Sequence, residues 1–217
     1  AKKYQPNCQV IWPIGKKFAQ GAPLYLNHPD IDRIFVFDGD EKPESQRDFD
    51  MIDSCDIVID PTPDHPDNVY PSSRTIYKES FLMAGFTEAQ WNSLTREEQR
   101  PKLYKWWKET KAPPKTIAYW PCAGYGAENK RNASREWCEK LIRELTHRGY
   151  PVWQFGSPKD YYMDIWASDK FQRFTDLSLF EQIKLTLTTD LMIGTDSGSA
   201  LIVGAYEFPQ ISLLTNH

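Results

Sequence analysis

Apolar positions in this chain fall into short continuous runs, separated by stretches in which they recur at helical spacing. The run Cys8-Gln9-Val10-Ile11-Trp12-Pro13-Ile14 ends at Gly15, and Arg33-Ile34-Phe35-Val36-Phe37-Asp38 ends at Gly39; both predict strands. Asp56-Ile57-Val58-Ile59-Asp60 has a wholly apolar centre between carboxylates, as suits a strand buried on both faces of a parallel sheet, and Pro61 and Pro63 stop it. From Thr75 the spacing of Ile76, Phe81, Leu82 and Met83 predicts a helix closed by Gly85. Residues 87 to 111 read as further helix or turns carrying Trp91, Trp106 and Trp107.

Pro113-Pro114 reads as a stiff linker, after which strand and helix signals alternate again. Thr116 to Trp120 predicts a strand and Pro121 to Gly126 a loop. Ser134 caps a helix running to His147, with Trp137, Leu141 and Leu145 as its apolar stripe and Gly149 as its stop. Pro151 to Phe155 is the next strand, ended by Gly156-Ser157-Pro158. A helix follows from Ser178 to Leu187, with Leu179, Ile183 and Leu187 four apart. Leu191 to Gly194 is a strand, Ala200 to Tyr206 a helix of small residues, and Gln210 to Leu214 a last strand. Four strands with intervening helices predict a doubly wound parallel sheet, so the fold class is α/β with two Rossmann-like domains, residues 1–112 and 113–217. Ligands of such folds bind beyond the carboxyl ends of the strands.

Composition narrows the functional classes. The 217 residues are 40% hydrophobic and 26% charged, with a net charge of −4, as in a folded soluble protein. Between Asp38 and Asp67 eleven acidic residues face two basic ones, a local balance of −9 that would repel a phosphate backbone. Nucleic acid is therefore not an expected partner; the segment reads as a solvated loop or as an acidic rim on a cleft. No apolar run is long enough to span a membrane. Cys8, Cys55, Cys122 and Cys138 lie far apart with no zinc spacing, so they are expected to be reduced, without a structural metal, in a cytoplasmic protein.

The strongest chemical signal is Ile193-Gly194-Thr195-Asp196-Ser197-Gly198-Ser199, where a buried strand runs into a helix. Freed N–H groups and the positive helix end suit a phosphate, Gly198 allows close backbone approach, and Ser197 adds a hydroxyl. Asp196 would face sugar hydroxyls. Alternatively, Asp196 or Ser197 is simply the N-cap of the helix. The order of residues is not the G-x-S-x-G elbow of hydrolases. A second signal is the loop from Pro121 to Asn132, whose Lys130 and Arg131 precede a capped helix and would neutralise a diphosphate or else form solvated surface. It matches neither the Walker nor the dinucleotide glycine pattern.

Taken in order, the strand and loop before Lys130, the helix from Ser134, the strand ending at Gly156, Asp176 to Gln182, and Asp190 to Gly198 resemble the heptosyltransferase-like glycosyltransferases of family 9. Asp56 to Asp60 resembles that family's buried N-terminal strand. The resemblance implies a GT-B architecture and inverting, metal-independent transfer from a nucleoside-diphosphate sugar, used as substrate with no cofactor. The acceptor would be a glycan or a lipid-linked sugar of lipopolysaccharide type, handled in the cytoplasm or at the inner membrane surface. It further implies that Lys130, Asp196, Ser197, Gly198 and Ser199 hold the donor's phosphates and sugar, and that Gly124, Tyr125, Gly156 and Ser157 border its nucleoside. The base would lie upstream of residue 1, so the chain reads as a fragment. Leu201 stands where the family commonly has His. On the acceptor side, Asp60, Asp64 and His65 follow a buried strand, although Pro61, Pro63 and Pro66 equally suit a surface turn. Besides transfer, two other activities fit: a nucleotide- or glycan-binding relative without turnover, and another nucleotide-sugar enzyme such as an epimerase.

Overall fold

The computed structural model describes residues 6–26, 28–40, 42–56, 78, 81–82, 85–99, 102–105, 107–108, 110–123, 132–158, 160 and 168–213. The chain divides into two compact units, residues 1–102 and 103–217. Residues 57–60 of the strand predicted from Asp56 to Asp60, and most of the helix from Thr75 to Gly85, lie outside the described residues.

In the first unit, β1 (Ile11–Ile14) and β2 (Arg33–Val36) pair in parallel, Ile11 opposite Arg33 and Ile14 opposite Val36. A 3₁₀ helix, Lys16–Tyr25, connects them. α1 (Gln46–Asp53) and the short α2 (Glu88–Asn92) each start with a capping box, Ser45 with Asp48 and Thr87 with Gln90. Residues 87 to 99 thus form one short helix and turns.

The acidic segment is not merely solvated. Asp48 is fully buried, and its carboxylate accepts the Asp38 N–H at 3.0–3.1 Å and the N–H groups of Glu44 and Ser45 at 3.2 and 3.3 Å. Burial pushes its pKa up, but the backbone donors of Glu44, Asp38, Ser45 and Gly39 outweigh that and hold it below the usual carboxylate range. Arg47 adds an ion pair with Asp38 at 2.7 Å while its guanidinium lies over the Phe35 ring. Asp48 therefore pins the turn between β2 and α1.

The second unit carries a parallel sheet in the order β5-β4-β3-β6-β7. Its strands are β3 (Ile117–Trp120), β4 (Val152–Gln154), β5 (Phe171–Arg173), β6 (Leu191–Thr195) and β7 (Gln210–Leu213). The sheet has five strands where the sequence pattern predicts four. β5, Phe171-Gln172-Arg173, has one apolar residue and so no apolar run to mark it, and it is held by its pairing with β4.

α3 (Arg135–His147) starts at Ser134, whose hydroxyl accepts the Trp137 N–H, and is followed by Gly149 at φ +92°. It covers one face: Cys138 and Ile142 pack with Ile117, Tyr119, Val152 and Ile193. Fully burying an Ile side chain contributes about 1.5–3 kcal/mol. The apolar stripe is rotated from the one expected. Cys138, Ile142 and Thr146 are buried, Leu141 and Leu145 flank them, and Trp137 is 44% exposed. Successive strand residues face opposite ways, so Trp120 points to the other face, where its indole N–H donates to Thr186 Oγ1 at 3.1 Å. Thr186 ends α4 (Leu179–Thr186), which Ser178 and Glu181 cap reciprocally. α5 (Gly198–Ala205) packs beside α4. Residues just before the proline pair join this unit: Leu103 N–H bonds to Ala205 O at 2.7 Å, and Trp107 meets the rings of Phe180 and Tyr206.

Candidate functional site

The chain passes from β3 through α3 to β4 on one side, and later returns through α4 to β6 on the other. β3 and β6 are adjacent, with Trp120 opposite Gly194. Their carboxyl ends thus flank the point where the winding reverses, the place at which open α/β sheets leave a crevice. Two of the turns singled out in the sequence stand on this edge. Asp196 to Ser199 follows β6, and Gly156-Ser157 follows β4, two strand spacings or about 10 Å away.

At the β6 turn, close packing fixes the strand and leaves the turn open. A Cβ on Gly194 would lie 3.0 Å from Trp120 Cβ and 3.0 Å from Met192 Cε, so any larger residue would have to push these neighbours back. Buried Thr195 donates its hydroxyl to Pro121 O at 2.7 Å, tying the end of β6 to the loop after β3. Asn132 Oδ1 accepts the Ala123 N–H at 2.6 Å and draws in the far side of that loop.

Ser197 occupies the N-cap position, yet its hydroxyl makes no capping bond and instead meets Ser199 Oγ at 2.8 Å. The capping alternative therefore holds for the backbone and not for the side chain. The first-turn N–H groups of an α-helix have no acceptor within it, and here their end carries the positive pole of α5. A Cβ on Gly198 would meet no described atom within 4 Å, so the backbone there is not covered by a described neighbour. Asp196 is exposed beside it, and Leu201, one turn along, is 67% exposed.

The β4 turn is built differently. Gly156 has φ +129°, a conformation that L side chains rarely adopt. Its N–H donates to Gln182 Oε1 at 2.7 Å, and its carbonyl accepts from Gln182 Nε2 at 3.0 Å. Ser157 N–H donates to Asp160 Oδ2 at 2.8 Å. Asp160 is 8% exposed, and its other oxygen, Oδ1, has no hydrogen-bond partner among the described residues. Burial raises its pKa above the ordinary value, only partly opposed by the Ser157 N–H. Beneath these turns Trp120, Phe155 and Phe174 stack in a row, with centroids 5.5 and 5.6 Å apart.

Asp160 and Gln182 were not among the residues expected at this edge. The only hint of Asp160 is its position three residues after Ser157 in a Gly-Ser-Pro turn, and Gln182 looks like an ordinary helix residue. Lys130, Gly124 and Tyr125, and the acceptor-side Asp60, Asp64 and His65, lie outside the described residues. Among the described residues no group of three or more His, Cys, Asp or Glu could hold a metal ion. No helix among them is long and apolar enough to cross a membrane.

No protein-family model and no curated protein matches the chain. Solved structures do. The chain is similar to the Escherichia coli heptosyltransferase WaaC with ADP-2-deoxy-2-fluoro heptose, at 12% identity and TM-score 0.59, over 97% of this chain and 80% of that one. It is similar to E. coli ADP-heptose lps heptosyltransferase II at 11% identity and TM-score 0.60, over 98% and 77% of the two chains. A glycosyl transferase family 9 structure from Veillonella parvula matches at 14% identity and TM-score 0.56, over 97% and 73%. At such identities the likeness is one of fold, and the chain has the mixed α/β, parallel-sheet fold of the family 9, heptosyltransferase-like glycosyltransferases.

Proposed function

We propose that this protein is a glycosyltransferase that binds a nucleoside-diphosphate sugar at the carboxyl edge of the five-stranded sheet. The observation that carries the reading is the coincidence of the Asp196 to Ser199 turn with the reversal point between β3 and β6. There the N-cap side chain makes no bond to the helix, and a Cβ on Gly198 would meet no described atom within 4 Å. The fold shared with a heptosyltransferase bound to an ADP-heptose analogue supports the same reading.

In this reading the diphosphate rests on the first turn of α5, with Ser197 and Ser199 as hydroxyl donors and Lys130 as the neighbouring cation. Asp196 faces the transferred sugar. Gly156 and Ser157, with Gly124 and Tyr125, border the nucleoside, and Asp160 Oδ1 accepts a hydroxyl from it. A heptose-like sugar is the donor sugar to test first, with a glycan or lipid-linked sugar as acceptor. The acceptor oxygen attacks the anomeric carbon as the bond from that carbon to the diphosphate oxygen breaks, and the acceptor proton passes to a base. The configuration inverts, and the helix end and Lys130 stabilise the departing diphosphate's charge without calling on a metal. The acceptor side falls to the N-terminal domain read from the sequence, residues 1–112, with Asp60, Asp64 and His65 as its polar groups.

Lys130→Ala is expected to weaken nucleoside-diphosphate binding by about 1–3 kcal/mol in calorimetry, the range for a charge-assisted hydrogen bond, with little effect on folding. Unchanged affinity would remove Lys130 from the site. A second reading, binding without turnover, draws on Leu201, an exposed aliphatic chain on the first turn of the helix that would face the phosphates. Release of nucleoside diphosphate from a donor panel in the presence of acceptor separates the two.

A further inference from the structure

β4 ends at Gln154, so Gly156 lies past the last residue that pairs with a neighbouring strand. Its peptide groups are nonetheless fully engaged, because Gln182 meets both: Oε1 takes the Gly156 N–H and Nε2 gives a proton to the Gly156 carbonyl. The side-chain amide does what the peptide of an adjacent strand would do. Its second Nε2 hydrogen goes to Leu177 O at 2.8 Å, so both donors are used inside a side chain that is 5% exposed.

The peptide between Gly156 and Ser157 is gripped from both ends. Gln182 holds its carbonyl, and Asp160 holds its N–H. Rotating that peptide would break both contacts at once and release the carboxylate. If filling space were all that mattered, an aliphatic side chain would serve without a buried amide needing three partners. The arrangement instead fixes one orientation of a glycine peptide and, through Ser157, the direction of Asp160.

We propose that Gln182 is a positioning residue for the nucleoside end of the donor pocket. It acts through the Gly156 peptide groups and Asp160 and does not itself touch the donor. The inference rests on the donor-site reading above.

The test uses the whole chain with ADP, UDP, GDP and CDP as one set of probes and inorganic pyrophosphate as the other. Gln182→Leu removes all three bonds, while Gln182→Glu keeps the acceptor for Gly156 N–H and removes both donors. Both are expected to weaken the best nucleoside diphosphate about tenfold and to leave pyrophosphate affinity within about twofold, since only the nucleoside end is disturbed. A folded variant with unchanged nucleoside-diphosphate affinity overturns the proposal, as does an equal loss for pyrophosphate. A measurement on the wild-type protein guards against variants that fail to fold. The Gln182 side-chain NH₂ resonances should shift on adding the nucleoside diphosphate and stay put with pyrophosphate, and the absence of that difference overturns the proposal. If no nucleoside diphosphate binds the wild-type chain, the donor-site reading itself fails, a result distinguishable from the failure of Gln182 alone.

Discussion

The turns after β4 and β6 stand on the same edge of the same sheet, and they spend their polar groups in opposite ways. After β4, Gly156 and Ser157 are bound by buried side chains from 26 and three residues further along, so the protein satisfies its own backbone. After β6, the residue at the N-cap position makes no side-chain cap, and a Cβ on Gly198 would meet no described atom within 4 Å. Buried groups left over after self-pairing are where a ligand can contribute. The first turn offers one such acceptor, Asp160 Oδ1, whereas the second offers the first-turn donors of α5 at Gly198, which is exposed, and Ser199, which is half-buried. One turn is held by its own side chains, and the other starts a helix that no side chain caps.

Glycine substitutions should break the comparison most sharply. Gly156→Ala places a side chain at φ +129° and drives its Cβ into Asp160, so it should cost about 1–3 kcal/mol or more in urea unfolding. Gly198→Ala meets nothing and enters a helix, where Ala is preferred. Its stability should stay within about 0.5 kcal/mol, while pyrophosphate binding falls because the new methyl stands where the ligand would approach. Equal stability losses in the two variants would mean that the turns do not differ as described.

A smaller effect concerns Asp160. Its folded pKa is raised by burial, so the unfolded chain ionises first as pH rises, and the native state loses stability from about pH 4 upward until the folded carboxyl has also ionised. Asp160→Asn keeps an acceptor for Ser157 N–H and removes that penalty. The variant's melting temperature relative to wild type should therefore increase between the acid end of this window and neutrality. A pH-independent difference would show that the carboxylate carries no desolvation cost.

Much of the second unit was legible from local punctuation. Ser134 and Ser178 announced α3 and α4, Gly149 and Gly156 marked ends, and continuous apolar runs marked β3, β4 and β6. β5 was not, because Phe171-Gln172-Arg173 holds a single apolar residue and its pairing with β4 is a tertiary fact. The stripe of α3 was misread by one position because Trp137 is large and apolar, yet Cys138 and Ile142 face the sheet. In the first unit, Ser45-x-x-Asp48 was a capping signal hidden within an acidic run. The β6 turn could be found because its chemistry lies in consecutive residues. The β4 turn's chemistry joins Gly156 to Gln182 across 26 residues, a distance over which sequence spacing says nothing.

Both turns are proposed to face one nucleoside diphosphate, which titrating the wild-type chain with ADP, UDP, GDP and CDP while following backbone amide resonances would reveal. At least one of the four is expected to shift Gly198, Ser199 and Ser157 together, along a single saturation curve. If none of the four moved these amides, or if the β6 turn responded while Ser157 stayed fixed at saturation, the shared donor pocket would be contradicted.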